Sequence, residues 1–144
     1  MNEHYQRLER MFHKAPIQSL LPGAKVKVSE GRAEYILDIS ENYFHAAQAM
    51  HGAIYFKLLD DSAYFAAASL ETAYFILTKS YTIHFRRPVE ADTLKAVGEV
   101  VSVTDGQFVA KSSIYNSAGK VVAQGEGLFV RGPKLLSSLA GYAD

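Results

Sequence analysis

From His51 to Leu70 the chain runs through twenty residues rich in Ala, Leu, Phe and Tyr, with no proline and a single early glycine. Read as a helix, this stretch places Ile54, Leu58, Asp61 or Ser62, Phe65 and Ser69 on one stripe. Phe56, Leu59, Ala63, Ala66 and Ala67 extend the apolar surface around most of the cylinder. A helix that is apolar nearly all round has to be buried. It would be about 30 Å long at a rise of ~1.5 Å per residue. Whatever the rest of the chain forms must therefore wrap it.

The flanking sequence supplies the wrapping. Tyr5, Leu8, Met11 and Phe12 recur at helical spacing over residues 3–14, and Pro16 ends that run. Pro22-Gly23 signals a turn. Ala24–Val28 then alternates, with Val26 and Val28 on one face and Lys25 and Lys27 on the other, and Glu30-Gly31 leads into Ala33–Ile39. These segments predict two strands joined by a tight turn, and residues 40–50 a connecting loop. After the long helix everything reads as sheet: Tyr74–Phe85 closing on Arg87-Pro88, Leu94–Thr104, a hairpin at Asp105-Gly106, Phe108–Tyr115, a turn at Asn116–Gly119, and Lys120–Val130. Gly132-Pro133 is expected to stop the last strand, leaving residues 132–144 as a frayed tail or a short helix. The order predicts a single α+β domain over residues 1–144, with an N-terminal helical segment at 1–22 and a curved antiparallel sheet wrapped round one helix.

Composition narrows the function. The 144 residues are 49% hydrophobic and 21% charged, so a packed core is expected rather than disorder. Fifteen basic and fifteen acidic residues give zero net charge, which argues against a nucleic-acid partner. With no cysteine there is no disulfide, no thiolate metal site and no Cys nucleophile, which fits a reducing compartment. The N-terminus lacks an apolar core of signal type, and the longest mostly apolar stretch, Ala63–Leu70, is far shorter than the ~20 residues of a membrane span. A cytoplasmic protein without a membrane partner is the expectation. The histidines at 4, 13, 45, 51 and 84 show no metal-ligand spacing, and no phosphate-binding Gly loop, nucleophile elbow or dinucleotide fingerprint is present.

The segment His51-Gly52-Ala53-Ile54-Tyr55-Phe56-Lys57-Leu58-Leu59-Asp60-Asp61-Ser62-Ala63 resembles the central motif of the PaaI-type hot-dog thioesterases: His-Gly-Gly, an apolar run, then an acidic residue nine positions after the His. Thr82–Pro88, closing on Arg86-Arg87-Pro88, resembles the strand end that follows, and Leu94–Val100 resembles the next strand. The similarity spans residues 23–131. It implies a hot-dog fold, homodimers that pair through their sheets and again as dimers of dimers, active sites between subunits, and hydrolysis of acyl-CoA thioesters without metal or cofactor.

The chemistry of such a reaction weighs particular residues. A helix N-terminus offers free N–H groups and partial positive charge to a developing oxyanion. The resemblance makes the N–H of Gly52 that donor, with Ala53 in place of the family's second Gly. Asp60 is the implied base or nucleophile. A carboxylate on an apolar helix is partly desolvated and so more basic, although Asp60 would also serve as a simple buried acid with Lys57, one turn earlier, as its partner. Asp61 is the rival acid, about 100° further round the helix. His51 either takes a direct chemical part or orients the loop and substrate. The family's Asn six positions before the His is here His45, and Gln48 lies nearby; both are candidate contacts to the thioester. Thr78 is either an ordinary β-branched strand residue or, as the resemblance implies, a helper of the attacking water from the opposite subunit. Arg86 and Arg87 are candidates for a CoA phosphate, with Lys111 and Arg131 behind them. The aromatics Tyr43, Phe44, Tyr55, Phe56, Tyr64 and Phe65 suit either an acyl pocket or packing. Two rival functions remain on the same fold: an acyl-CoA hydratase or dehydratase, and a non-catalytic acyl-CoA sensor.

Overall fold

The computed structural model describes residues 2–144. The first helix, α1, is Asn2–Lys14, and Pro16 at the head of a 3-10 turn (Pro16–Leu20) prevents its continuation. Strands β1 (Lys25–Ser29) and β2 (Arg32–Ile39) form the expected hairpin, with Val26 and Val28 facing the core. Its turn needs a left-handed residue, supplied by Gly31 at φ +67°.

The long helix, α2, is Gly52–Ala68. Strands β3 (Tyr74–Phe85), β4 (Asp92–Thr104), β5 (Gln107–Tyr115) and β6 (Val121–Leu135) follow, and all pairings are antiparallel in the order β1-β2-β4-β5-β6-β3. Because β3 follows α2 in sequence yet lies at the far edge, the helix has to cross the sheet. It packs mainly on β2, β4 and β5, burying Leu58, Leu59, Ala63, Ala66 and Ala67 completely. Phe12 of α1 closes the core from the other side, edge-on to Tyr35 and Phe65 at 5.5 and 5.6 Å.

Helix and sheet meet at backbone distance. A Cβ on Gly98 of β4 would fall on the carbonyl group of Ser62. A polar seam runs beside this contact: Ser112 donates to the Leu59 carbonyl at 2.8 Å, and the Tyr81 hydroxyl, 3.3 Å from the same oxygen, donates to the Ser112 hydroxyl. The seam ties an interior helix carbonyl to a sheet hydroxyl that Tyr81 in turn holds, and so resists sliding of the helix.

One expectation needs correction. The last strand does not stop at Gly132-Pro133 but runs to Leu135. There Ile76 pairs with Arg131 and Tyr74 with Leu135, so Pro133 sits in a bulge beyond the end of β5, where its missing N–H costs no ladder bond. Of the two alternatives for the tail, the short helix holds and fraying does not: it forms the 3-10 turn Leu136–Ser138 and then packs, burying Leu136 and Tyr142. His4 on α1 bonds the Tyr142 hydroxyl at 2.7 Å and the Ala68 carbonyl at 2.9 Å. A single neutral tautomer satisfies both, with Nε2–H donating to Ala68 and Nδ1 accepting from Tyr142. The Ala68 carbonyl at the end of α2 thus accepts from His4 as well as from the Glu71 N–H at 3.1 Å.

The backbone contact predicts that Gly98→Ala destabilises the fold by about 1–3 kcal/mol or more, because the neighbour is backbone that cannot swing aside. Urea titration should show a lower midpoint with an unchanged m-value.

Candidate active site

The start of α2 is built by its own cap. His51 is extended (φ −67°, ψ 144°), its Nδ1 accepts from the Ala53 N–H at 2.9 Å, and its carbonyl accepts from the Ile54 N–H at 2.9 Å. Of the first three helical N–H groups, Gly52's alone has no partner among the described residues. The N–H of His51 itself is held by the Tyr43 carbonyl at 2.8 Å and that of Met50 by Val89 at 2.7 Å, so the loop that delivers the cap is pinned.

The Arg-Pro strand end is fastened beside this helix start. Tyr55 donates to the Arg87 carbonyl at 2.8 Å, and the Arg86 and Arg87 N–H groups both reach the Val122 carbonyl. A groove of about 390 Å³ results, lined by His45, Gly52, Tyr55, Phe85, Arg86 and Arg87. Both guanidinium groups are exposed, and they also line the adjoining cleft with Lys120. His45 keeps Nδ1 for its own loop, accepting from Ala47 at 3.1 Å. Gln48, left-handed at φ 68°, and Ala53 are exposed and lie outside the groove lining. Arg131 is engaged by Glu71 at 2.5 Å, and Lys111 lies in a separate cleft with His84 and Glu126.

Asp60 lies elsewhere, eight residues along the helix from Gly52, or about 12 Å at ~1.5 Å per residue. It is partly buried in the wall of an apolar pocket of about 300 Å³ enclosed by Met11, Phe12, Ile17, Phe65, Phe75 and Leu77. Thr78 donates to its Oδ1 at 2.8 Å. This contact is made within one chain, without the opposite subunit expected for Thr78. A bulge at Lys79 directly follows Thr78 in the β3–β6 ladder. Burial raises the pKa of Asp60 above the usual carboxylate value, while the Thr78 bond and the Lys57 charge oppose the rise. Lys57 pairs not with Asp60, the alternative weighed for that acid, but with Asp61, at 2.6 Å. Asp61 is buried, and burial pushes its pKa up to about 6 against the pull of Lys57.

Of the aromatic set, Tyr64 and Phe65 line the pocket, Tyr55 lines the groove, and Phe56 packs edge-on to Tyr81 at 5.8 Å. The sequence reading missed the pocket wall contributed by Met11, Phe12 and Ile17. Their apolar spacing signalled packing, and nothing in it distinguished a wall from a core.

A partly desolvated carboxylate beside an apolar pocket, and an unpaired N–H at a helix start, are the two parts that an acyl-transfer site needs. The family model of the thioesterase superfamily matches residues 47–123, which contain the helix cap, Asp60, Thr78 and the Arg-Pro strand end. The chain belongs to the thioesterase superfamily. Solved structures place it among the PaaI-type hot-dog members. The E. coli PaaI protein from the phenylacetic acid degradation operon superimposes with TM-score 0.82 at 25% identity, over 93% of this chain and 96% of that one. Zebra fish thioesterase superfamily member 2 gives 0.77 at 18% identity, over 88% and 95%. A hypothetical thioesterase from Streptococcus pneumoniae with coenzyme A gives 0.71 at 19% identity, over 76% and 89%. No curated protein matches the chain. No described helix of this thioesterase-superfamily member is long and apolar enough to cross a membrane.

Replacing the Thr78 hydroxyl by a methyl in Thr78→Val removes a bond that favours the ionised form. The Asp60 pKa should then rise by about one unit, the equivalent of the ~1.5 kcal/mol of a hydrogen bond to a charged group. Carboxyl 13C titration by NMR reads the shift directly.

Proposed function

We propose that the protein hydrolyses acyl-CoA thioesters to free acid and CoA, with Asp60 as general base or nucleophile. The observation that carries the reading is the carboxylate itself, raised in pKa by burial, steered by Thr78 and set in the wall of an apolar pocket of acyl character. With Asp60 as base, the carboxylate takes a proton from water as its oxygen attacks the thioester carbon. The carbonyl oxygen gathers negative charge and accepts from the Gly52 N–H. The C–S bond then breaks, and the CoA sulfur leaves with the proton returned from Asp60. Arg86 and Arg87, exposed at the groove, would meet CoA phosphates. The coenzyme A in the Streptococcus pneumoniae structure supports that choice of thiol. The reaction draws on no cofactor, and a chain without cysteine suits the reducing cytoplasm.

One chain does not make the site by itself. Gly52 and Asp60 are too far apart to meet one carbonyl, so the site joins Gly52 of one copy to Asp60 of another. The edge of β3, unpaired on one side and carrying exposed Leu77 and Phe85, is the surface through which two copies would join into one continuous sheet. A further pairing of such dimers is in keeping with the family. His51 serves as the helix cap in this reading, which leaves a hydratase without the free acid–His pair it needs.

The test is release of free thiol from short, medium, long and aromatic acyl-CoAs. Asp60→Asn should lose about 100-fold or more in kcat. Gly52→Pro keeps the helix start but removes the N–H, and should be similarly impaired. Asp60→Asn and Gly52→Pro chains unfolded and refolded together should recover about a quarter of wild-type activity, because half the reassociated dimers are mixed and each holds one intact site. Binding of the esters without thiol release from any of them would instead support a sensor, and hydration of an enoyl ester would support a hydratase.

A further inference from the structure

Lys57 stands one helical turn before two adjacent carboxylates, Asp60 at i+3 and Asp61 at i+4, and a helical lysine can reach either. It takes Asp61: Nζ lies 2.6 Å from Oδ2, with the two side chains only 18% and 11% exposed. Its ammonium also lies 5.8 Å from the centre of the Phe12 ring, which helps to fix its direction. Asp60 is left with a neutral partner, the Thr78 hydroxyl. Apart from Lys57 and Asp61 themselves, the polar groups among the described residues that face Asp60 are neutral too. Tyr64 on α2 donates to the Ile76 carbonyl, and Tyr81 on β3 is tied into the seam with Ser112. The surrounding segment Met11–Gln18 turns Met11, Phe12, Ile17 and Gln18 toward the pocket and no charge. Lys57 is thus the one cation among the described groups that act on Asp60.

From this arrangement we propose that Asp61 is a positioning residue: it holds Lys57 off Asp60, so that the carboxylate at the pocket stays unpaired and able to take a proton. The inference rests on the reading of Asp60 as the base. A largely buried ammonium does not stay without a counter-charge. If Asp61 loses its charge, Asp60 is the nearest carboxylate, one helical position away. Lys57 then closes on Asp60, favours its ionised form and occupies the oxygens that should meet water. Burial keeps Asp61 poorly ionised toward acid pH, which would release Lys57 in the same direction.

The experiment compares wild type, Asp61→Asn, Lys57→Met and the double variant Lys57→Met/Asp61→Asn, with Asp60→Asn alongside. In Asp61→Asn the Asp60 carboxyl titration and the acid limb of kcat should both move down by about one to three pH units. In that variant kcat at neutral pH should fall while KM for the acyl-CoA holds. The double variant, with no ammonium to divert, should return the titration to the wild-type position or above and regain kcat. A merely structural pair would lower stability and kcat in both variants without moving the titration, and that outcome would overturn the proposal. If Asp61→Asn does not fold, Lys57→Met decides. Its Asp60 titration should move up with activity retained, and a variant as inactive as Asp60→Asn would make Lys57 a direct participant and defeat the proposal. Full activity in Asp60→Asn would sink the base assignment instead, while the NMR titrations would still report which carboxylate holds Lys57.

Discussion

The closeness of α2 to the sheet governs the rest of this structure. At Gly98 the strand has no side chain, and the helix backbone at Ser62 and Ala63 comes up against it. That proximity lets the Ser112 hydroxyl, held by Tyr81, reach into the helix and take the Leu59 carbonyl. The register along the helix axis is therefore held by directional bonds as well as by close packing. Asp60 follows Leu59 directly, so its position relative to Thr78 inherits that register. The placement of the proposed base and the core packing share one contact.

The two chemical ends of the helix are prepared by different physics. At the start, His51 satisfies Ala53 and Ile54 and leaves Gly52 unmet, so a polar group is kept open by selective capping. Around Asp60 the effect comes from removal of water. Burial raises the carboxyl pKa, and a single hydroxyl keeps it oriented. A charge left without an ion-pair partner costs stability, and here that cost falls on the group proposed as the base.

Much of this was legible in the residues. The all-round apolar run predicted a buried helix, the alternation of Val26 and Val28 predicted a strand face, and Asp105-Gly106 and Asn116–Gly119 marked turns that the structure contains. What could not be read was set by tertiary context. Pro133 looks like a terminator in isolation and is tolerated because it falls in a bulge past the end of the neighbouring strand. Lys57 is at i+3 to one acid and i+4 to the other, and spacing alone does not choose between them. Thr78 reaches Asp60 of its own chain through the packing of α2 beside β3, a juxtaposition that no local pattern encodes. The pocket wall from Met11, Phe12 and Ile17 is legible as amphipathic helix and turn, but its second duty depends on what lies opposite.

His4 gives that wall an unexpected stiffness. The same helix that lends Met11 and Phe12 to the pocket is clamped at its other end, where His4 bonds both the Ala68 carbonyl and the Tyr142 hydroxyl. Widening the pocket by tilting α1 would work as a lever against these two bonds and against the packed tail. On the proposed function, the size limit on an acyl group would then be set less by the empty volume than by the resistance of a joint at the far end of α1. Selectivity of that kind would be mechanical, loosening with temperature as the joint softens rather than with any change in the pocket lining.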